Sequence, residues 1–379
     1  MKIGLIHIPY VSPHRTSRET FEWSLRLAVE ADQAGVDEMM ITEHATEAWE
    51  PIPNPELVIA AAALQTERIR FAPMAHLLPY HNPASLALQV GWLSQILEGR
   101  YFLGIGAGAY PNDGVVHGHK DLGENHLMLQ EALDIMHRIW AREPFLFEGD
   151  YFRAGFPEPV PQGGPDDEDH LISDFSPWGG SVDIAVTGLS PVSSSMKIAG
   201  ANGYIPVSVY SGAAALKAHW ETYAEAARGA GLVPNQHLHH VSHDVLIADT
   251  DKEAKRLAVE GGLGQTWQRY LLPLFRRMRP ERFQGFLDAV PGSTLADVTP
   301  EWLAEHVWIV GSPETVREKL EALFEESGGW GTLNLQTHDY IDDPKPWLES
   351  MRRLVDEVAP KVALPGTPSS TSPSTVRSS

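Results

Sequence analysis

Short apolar runs alternate with amphipathic stretches along most of this chain, in the cadence of strand followed by helix. Residues 2–8 form a first apolar run. Thr16 and Glu19 then have the spacing of a capping box. Behind them Phe21, Leu25, Ala28 and Val29 recur on one helical face until Gly35 ends the helix. Residues 36–42 read as a buried second strand and 55–65 as an Ala-rich helix. A third strand (69–78), a helix (83–97) stopped by Gly99, a fourth strand (101–107) and a helix (124–140) follow. The second half is looser. Strands are predicted over 183–188, 204–210, 239–248 and 332–338, and helices over 193–201, 213–230, 251–260, 313–325 and 351–358. Ser312 and Pro313 have the chemistry of a helix start. Residues 261–297 carry no clear period. Eight strands in strict alternation with helices predict an α/β fold closed as a (β/α)8 TIM barrel, rather than an open doubly wound sheet. Two long interruptions, 143–182 and 261–306, are insertions after strands four and seven, of a length typical of lids. One domain is expected over 1–363, with a Ser/Thr/Pro tail over 364–379 whose composition is that of disorder.

Composition narrows the classes. The 379 residues are 43% hydrophobic and 21% charged, which suits a large globular core. Fifty acidic against 29 basic residues give a net charge of −21, which disfavours nucleic acid and anionic membrane surfaces. There is no cysteine, so disulfides, zinc–thiolate sites and thiol catalysis are excluded. No apolar run is long enough to span a membrane. The first residues lack the pattern of a signal peptide. A cytoplasmic protein is the expectation.

In a barrel, chemistry collects at the carboxyl ends of the strands. Those ends here carry His7, then Glu43 and His44, then Met74, Ala75 and His76. Gly106, Ala107 and Gly108 follow, then Thr187 and Gly188, Ser208 and Tyr210, and finally His338 and Asp339. One rim gathers imidazoles, hydroxyls and small residues.

Three local patterns have two readings each. Gly104, Gly106 and Gly108 follow a strand, as in a dinucleotide loop. Yet the spacing is GxGxG, Pro111 follows in place of a helix, and no acidic residue closes a strand ~20 positions on. The alternative is backbone against which a flat ligand lies. Thr187, Gly188, Ser190 and Ser193–Ser195 precede a helix, which makes either an anion site or a serine-rich N-cap. His117 and His119, and His237, His239 and His240, have the look of metal ligands but lack a carboxylate at ligand spacing; solvated positions without a metal are the expectation.

These motifs resemble the bacterial luciferase-like flavin monooxygenases over residues 1–362. Glu43-His44 sits at that family's strand-two motif, residues 71–79 (FAPMAHLLP) match its third strand, 97–106 (LEGRYFLGIG) its fourth, and 311–316 (GSPETV) its late helix entry. Residues 54–66, 91–110, 174–180 and 328–333 are most similar to the diketocamphane monooxygenases, the type II Baeyer–Villiger enzymes. The resemblance implies a homodimer that takes reduced FMN from a separate NAD(P)H-dependent flavin reductase. With O2 it would convert a cyclic or terpenoid ketone to a lactone through a C4a-peroxyflavin. It implies that His44 is the catalytic residue. The Met74–Ala75 bond would be a non-proline cis peptide under the flavin, and Gly106 and Ala107 would line the ring. Thr187, Gly188, Ser193, Ser194, Ser195 and Ser208 would bind the ribityl phosphate, and His7, His76 and Tyr210 would border the substrate. Luciferases carry an arginine for the phosphate where this chain has Ala107, and Arg100 lies too deep to replace it. The same fold also hosts deazaflavin-dependent oxidoreductases and other luciferase-like hydroxylases or epoxidases, which remain the alternatives, together with a non-catalytic flavin-storage protein and a metal-dependent hydrolase.

Overall fold

A computed structural model describes residues 1–119, 121–158, 172–188, 193–278, 282–287 and 290–362. The proposed tail, Ser190 and most of the first insertion's midsection lie outside these residues.

The barrel strands are β1 (Lys2–His7), β2 (Glu38–Ile41), β3 (Arg70–Pro73), β4 (His76–Leu77), β5 (Leu103–Gly106), β8 (Ile184–Gly188), β9 (Ile205–Ser208), β10 (His240–His243) and β13 (Thr332–Gln336). They are numbered together with the hairpin β6 (Phe145–Glu148) and β7 (Arg153–Phe156), and the side pair β11 (Val245–Ile247) and β12 (Ile309–Gly311). The sheet order is β3-β2-β1-β13-β10-β9-β8-β5-β4, and its pairings are parallel. β3 and β4 are two halves of the single predicted third strand, broken at the Met74–Ala75 peptide, which is cis. They sit at opposite ends of the sheet order, so the ring closes through one chain segment. A bridge between Phe71 and Tyr101 adds to the closure. The fold is the expected TIM-like barrel.

Two helices start where the sequence places their caps, while the last one, expected over 351–358, already begins at Lys345. The helix α1 (Ser17–Ala34) has the complete Thr16/Glu19 capping box and ends on Gly35 at φ 86°. The late helix over Pro313–Ser327 is capped by Ser312, whose oxygen accepts from the Thr315 N–H. Arg100 closes the barrel base: it donates to Thr66 Oγ1 and to the Ile69 and Ala63 carbonyls.

Three local readings need correction. A six-residue helix, Pro111–Val116, does follow the glycine run, because proline suits a first helical turn. The stretch read as irregular is largely helical, over Gly262–Thr266, a π-helical turn Trp267–Leu271, Leu272–Met278 and Arg282–Leu287. Its apolar side chains are buried on several faces, which hides the period. The hairpin β6/β7 falls in the first stretch read as an interruption and β12 between predicted elements, and the predicted strand 239–248 is divided into β10, in the barrel, and β11, which pairs with β12. No helix among the described residues is long and apolar enough to cross a membrane.

Candidate functional site

The carboxyl ends of the strands surround a cavity of about 430 Å³. Strand alternation decides which rim residues reach it. On β1, Ile6 and Ile8 line the cavity, so His7 between them points outward. It is fully buried, with Nδ1 2.7 Å from Thr337 Oγ1 and Nε2 2.8 Å from Ser24 Oγ. Burial without a charged partner lowers its pKa to about 3. Around β4, Ala75 and Leu77 line the cavity, so His76 between them faces out. Beyond β9, Val209 faces in while Ser208 is buried against His219 (2.8 Å) and His239 (2.9 Å). His7, His76 and Ser208 are therefore removed from the cavity wall. Tyr210 reaches it because its φ of 51° breaks the alternation, and its hydroxyl donates to Tyr10 Oη at 2.6 Å.

One wall is built from Met74 and Ala75 on one side and Gly106, Ala107 and Gly108 beside them. A Cβ on Gly106 would lie 3.2 Å from Ala75 Cβ, so glycine keeps this wall flat. Further round, Thr187, Ser193, Ser194 and Ser195 line the cavity where the helix Ser194–Asn202 begins. Ser193 occupies the N-cap position but makes no side-chain cap bond, so its hydroxyl is not spent on capping. Gly188 is not in the wall. A Cβ there would meet Met196 Cε at 2.6 Å, so glycine lets the helix pack close to β8. Ile6, Ile8, Leu271, Leu274 and Phe275 add apolar surface to the lining.

His44 stands at the rim with both ring nitrogens engaged. Nδ1 lies 3.1 Å from Asp113 Oδ2 and Nε2 lies 3.1 Å from Glu50 Oε2. Its ring edge meets Tyr110 at 4.9 Å. Burial pulls its pKa down, but Glu50, Asp113 and Glu47 outweigh that, and the net direction is upward. Glu43, its neighbour, belongs to another cluster. Oε2 pairs with His76 Nδ1 and Oε1 with His81 Nε2, each at 2.8 Å, and His76 Nε2 contacts Glu56. Burial opposes ionisation of Glu43, but the two imidazoles outweigh it and hold its carboxyl at about 2. Glu43, His76 and His81 have donor atoms close enough to share a metal ion. The two 2.8 Å contacts are nonetheless hydrogen-bond lengths, so both Glu43 oxygens are satisfied by the imidazoles themselves. Four of the other suspected ligands are engaged too. His117 and His119 flank the Tyr80 ring at 4.9 and 5.1 Å, His239 bonds Ser208, and His240 pairs with Glu38 at 2.9 Å. At the rim's eighth station His338 pairs with Asp244 at 2.8 Å and Asp339 binds Arg15.

Residues 1–330 match the family model described as luciferase-like monooxygenase. The chain belongs to the luciferase-like monooxygenase family. It is 53% identical to 3,6-diketocamphane 1,6-monooxygenase of Pseudomonas putida over 96% of this chain and 99% of that protein. It is 49% identical to 2,5-diketocamphane 1,2-monooxygenase 1 of the same organism, over 96% of this chain and all of the relative. Its fold superposes with a TM-score of 0.92, at 54% identity and over 96% and 99% of the two chains, on a solved structure. That structure is the oxygenating constituent of the P. putida 3,6-diketocamphane monooxygenase, a type II Baeyer–Villiger monooxygenase in complex with FMN.

Within this luciferase-like site, Glu50, Asp113 and Tyr270 escaped the sequence reading. Glu50 sits in the polar loop after β2, Asp113 at the start of a short helix, and Tyr270 in the π-helical turn. A weak signal existed for Glu50, an acidic residue after Trp49 in a loop that leaves a strand end.

Proposed function

We propose that this chain is the oxygenating component of a two-component, FMN-dependent Baeyer–Villiger monooxygenase acting on a cyclic or terpenoid ketone. The observation that carries the reading is His44, clamped between two carboxylates and facing an apolar cavity with one flat wall. The relatives' names and the FMN in the related solved structure support the same chemistry. The residues fit FMN: Met74, Ala75, Gly106 and Ala107 would hold the flat ring, and Thr187 with Ser193–Ser195 would hold the ribityl phosphate. With alanine at position 107, hydroxyls and helix N–H groups carry the phosphate instead of a guanidinium.

Reduced FMN, delivered by a separate NAD(P)H-dependent reductase, supplies the electrons and the oxygen-activating chemistry when bound. The chain's own work is to bind, exclude water and hold protons. Leu271, Leu274 and Phe275 add apolar surface to the lining and limit water entry. His44 keeps a proton at its ring nitrogens beside the reacting centre. The Tyr10–Tyr210 hydroxyl pair borders the substrate. In balance, one oxygen atom enters beside the ketone carbonyl, and the other leaves as water with the two hydrogens of the reduced flavin. A cytoplasmic setting suits a partner that draws on NAD(P)H.

The test is product analysis with 18O2, a flavin reductase, FMN and a panel of cyclic ketones. One 18O in a lactone is expected. Turnover that needs a deazaflavin and consumes no O2 would assign the site to the alternative oxidoreductase class.

A homodimer is part of the proposal. Leu57 and Leu64 around one helix (Pro55–Ala63) and Leu88, Trp92 and Ile96 on the next (Pro83–Ile96) are exposed. A patch of this kind suits a second copy. Trp92→Glu should shift a dimer towards monomer in light scattering; a monomeric wild-type protein would refute the dimer.

A further inference from the structure

The two carboxylates that hold His44 are not equivalent. Asp113 accepts from the Thr46 N–H (2.8 Å), the Ala45 N–H (3.2 Å) and Thr46 Oγ1 (2.5 Å), in addition to facing His44. A carboxylate with this many donors stays ionised, and its pKa is lowered despite burial. The proton on His44 Nδ1 is therefore committed to Asp113. Glu50 is 3% exposed, and the Tyr270 hydroxyl donates to its Oε1 at 2.8 Å. That contact leaves Oε2 for His44 Nε2. Burial raises the Glu50 pKa while the coupling to His44 lowers it, and the net direction is upward.

The groups facing this pair come from several elements. Glu47 and Glu50 lie on the loop after β2, Asp113 on the short helix, and Tyr110 just before it. Tyr270 comes from the π-helical turn and Tyr10 from the end of β1. Three carboxyl groups thus surround one imidazole, and the cluster retains a proton. Both Glu50 and His44 line the cavity, so that proton is within reach of a ligand. Tyr270 is held by stacking on Trp49 (centroids 5.6 Å apart, 14° between planes), next to Glu50 in the chain.

We propose that Glu50 is the proton partner of His44, sharing one mobile proton between Oε2 and Nε2 at the cavity wall. Tyr270 is the positioning residue that decides where that proton rests. This rests on the reading of His44 given above. When the proton is on Nε2, the pair is imidazolium and carboxylate; when it is on Oε2, both are neutral, apart from the fixed Nδ1–H···Asp113 contact. Either form keeps a proton donor at the wall, and no other group need be recruited. Loss of the Tyr270 hydroxyl removes a hydrogen bond that favours ionised Glu50 and moves the proton towards Oε2.

The test is 15N-histidine NMR titration of the full-length, FMN-bound protein, with the His44 signal identified by its loss in His44→Gln. In Glu50→Gln the proton affinity of His44 should fall about tenfold or more. In Tyr270→Phe, Nε2 should move towards its unprotonated shift near neutral pH, by a smaller amount. The alkaline limb of the kcat profile should move down in step in Glu50→Gln, with KM for the ketone changing less than about threefold. His44 titrating as in wild type in both variants would overturn the proposal. If Glu50→Gln does not fold, Tyr270→Phe decides by itself. A His44 titration that moves as expected while the kcat profile stays fixed would keep the proton pair and overturn the role of His44 in turnover.

Discussion

Glu43 and His44 are neighbours in the chain, yet each anchors a different carboxylate–imidazole cluster. Around Glu43, two imidazoles flank one carboxylate, and Glu56 takes the far nitrogen of His76. Around His44, two carboxylates flank one imidazole, with Glu47 close by. The first cluster ties β2 to β4 and to the helix that begins at Pro55, across the break at the cis peptide. His76, its central imidazole, is fully buried and outside the cavity wall. Glu43 itself borders the cavity, but its partners do not, whereas both members of the His44–Glu50 pair line it. The same residue types thus serve two ends. Where imidazoles and carboxylates pair with one another inside the fold, the result is a brace. Where charge is unbalanced beside a cavity, the result is a proton store.

The largest effect that would break this comparison is on stability. His76→Ala leaves Glu43 and Glu56 as buried neighbouring carboxylates, and should cost about 3–5 kcal/mol, read as a lower midpoint in chemical denaturation. An unchanged midpoint with lost turnover would instead move His76 into the chemistry.

A somewhat smaller effect is on acid stability. The Glu43 carboxyl is held at about 2 against an ordinary 4.5. Its contribution is fully present above 4.5 and is lost as pH falls through the folded value, and it amounts to about 3 kcal/mol at most. Glu43→Gln should therefore flatten the acid limb of the stability–pH curve between 4.5 and about 2. An acid limb as steep as that of wild type would show that other carboxyls carry it.

Much of this was legible in the chain. The barrel follows from strand–helix alternation, and closure brings the strand ends together wherever they fall in sequence. That is why Glu43 and His44, Met74 and Ala75, Gly106 and Ala107, and the Thr187 and Ser193–Ser195 region group together from the sequence alone. His7, His76 and Ser208 were misassigned because a strand end has two faces. Ile6, Ile8, Leu77 and Val209 take the inner one. The alternation was visible, but its phase against the cavity was not. Asp113 and Tyr270 were hidden for another reason: they reach His44 and Glu50 from 69 and 220 positions away, through contacts that leave no local period.

The contrast between the two clusters is tested most directly by single-turnover lactone formation with reduced FMN and O2. It would be measured side by side in wild type, His44→Ala and Glu56→Gln. His44→Ala should lose about 10²-fold or more in rate, with FMN affinity within about threefold of wild type. Glu56→Gln should turn over near the wild-type rate with reduced stability. Undiminished turnover in His44→Ala, or an equal loss in both variants, would contradict the division between brace and proton store.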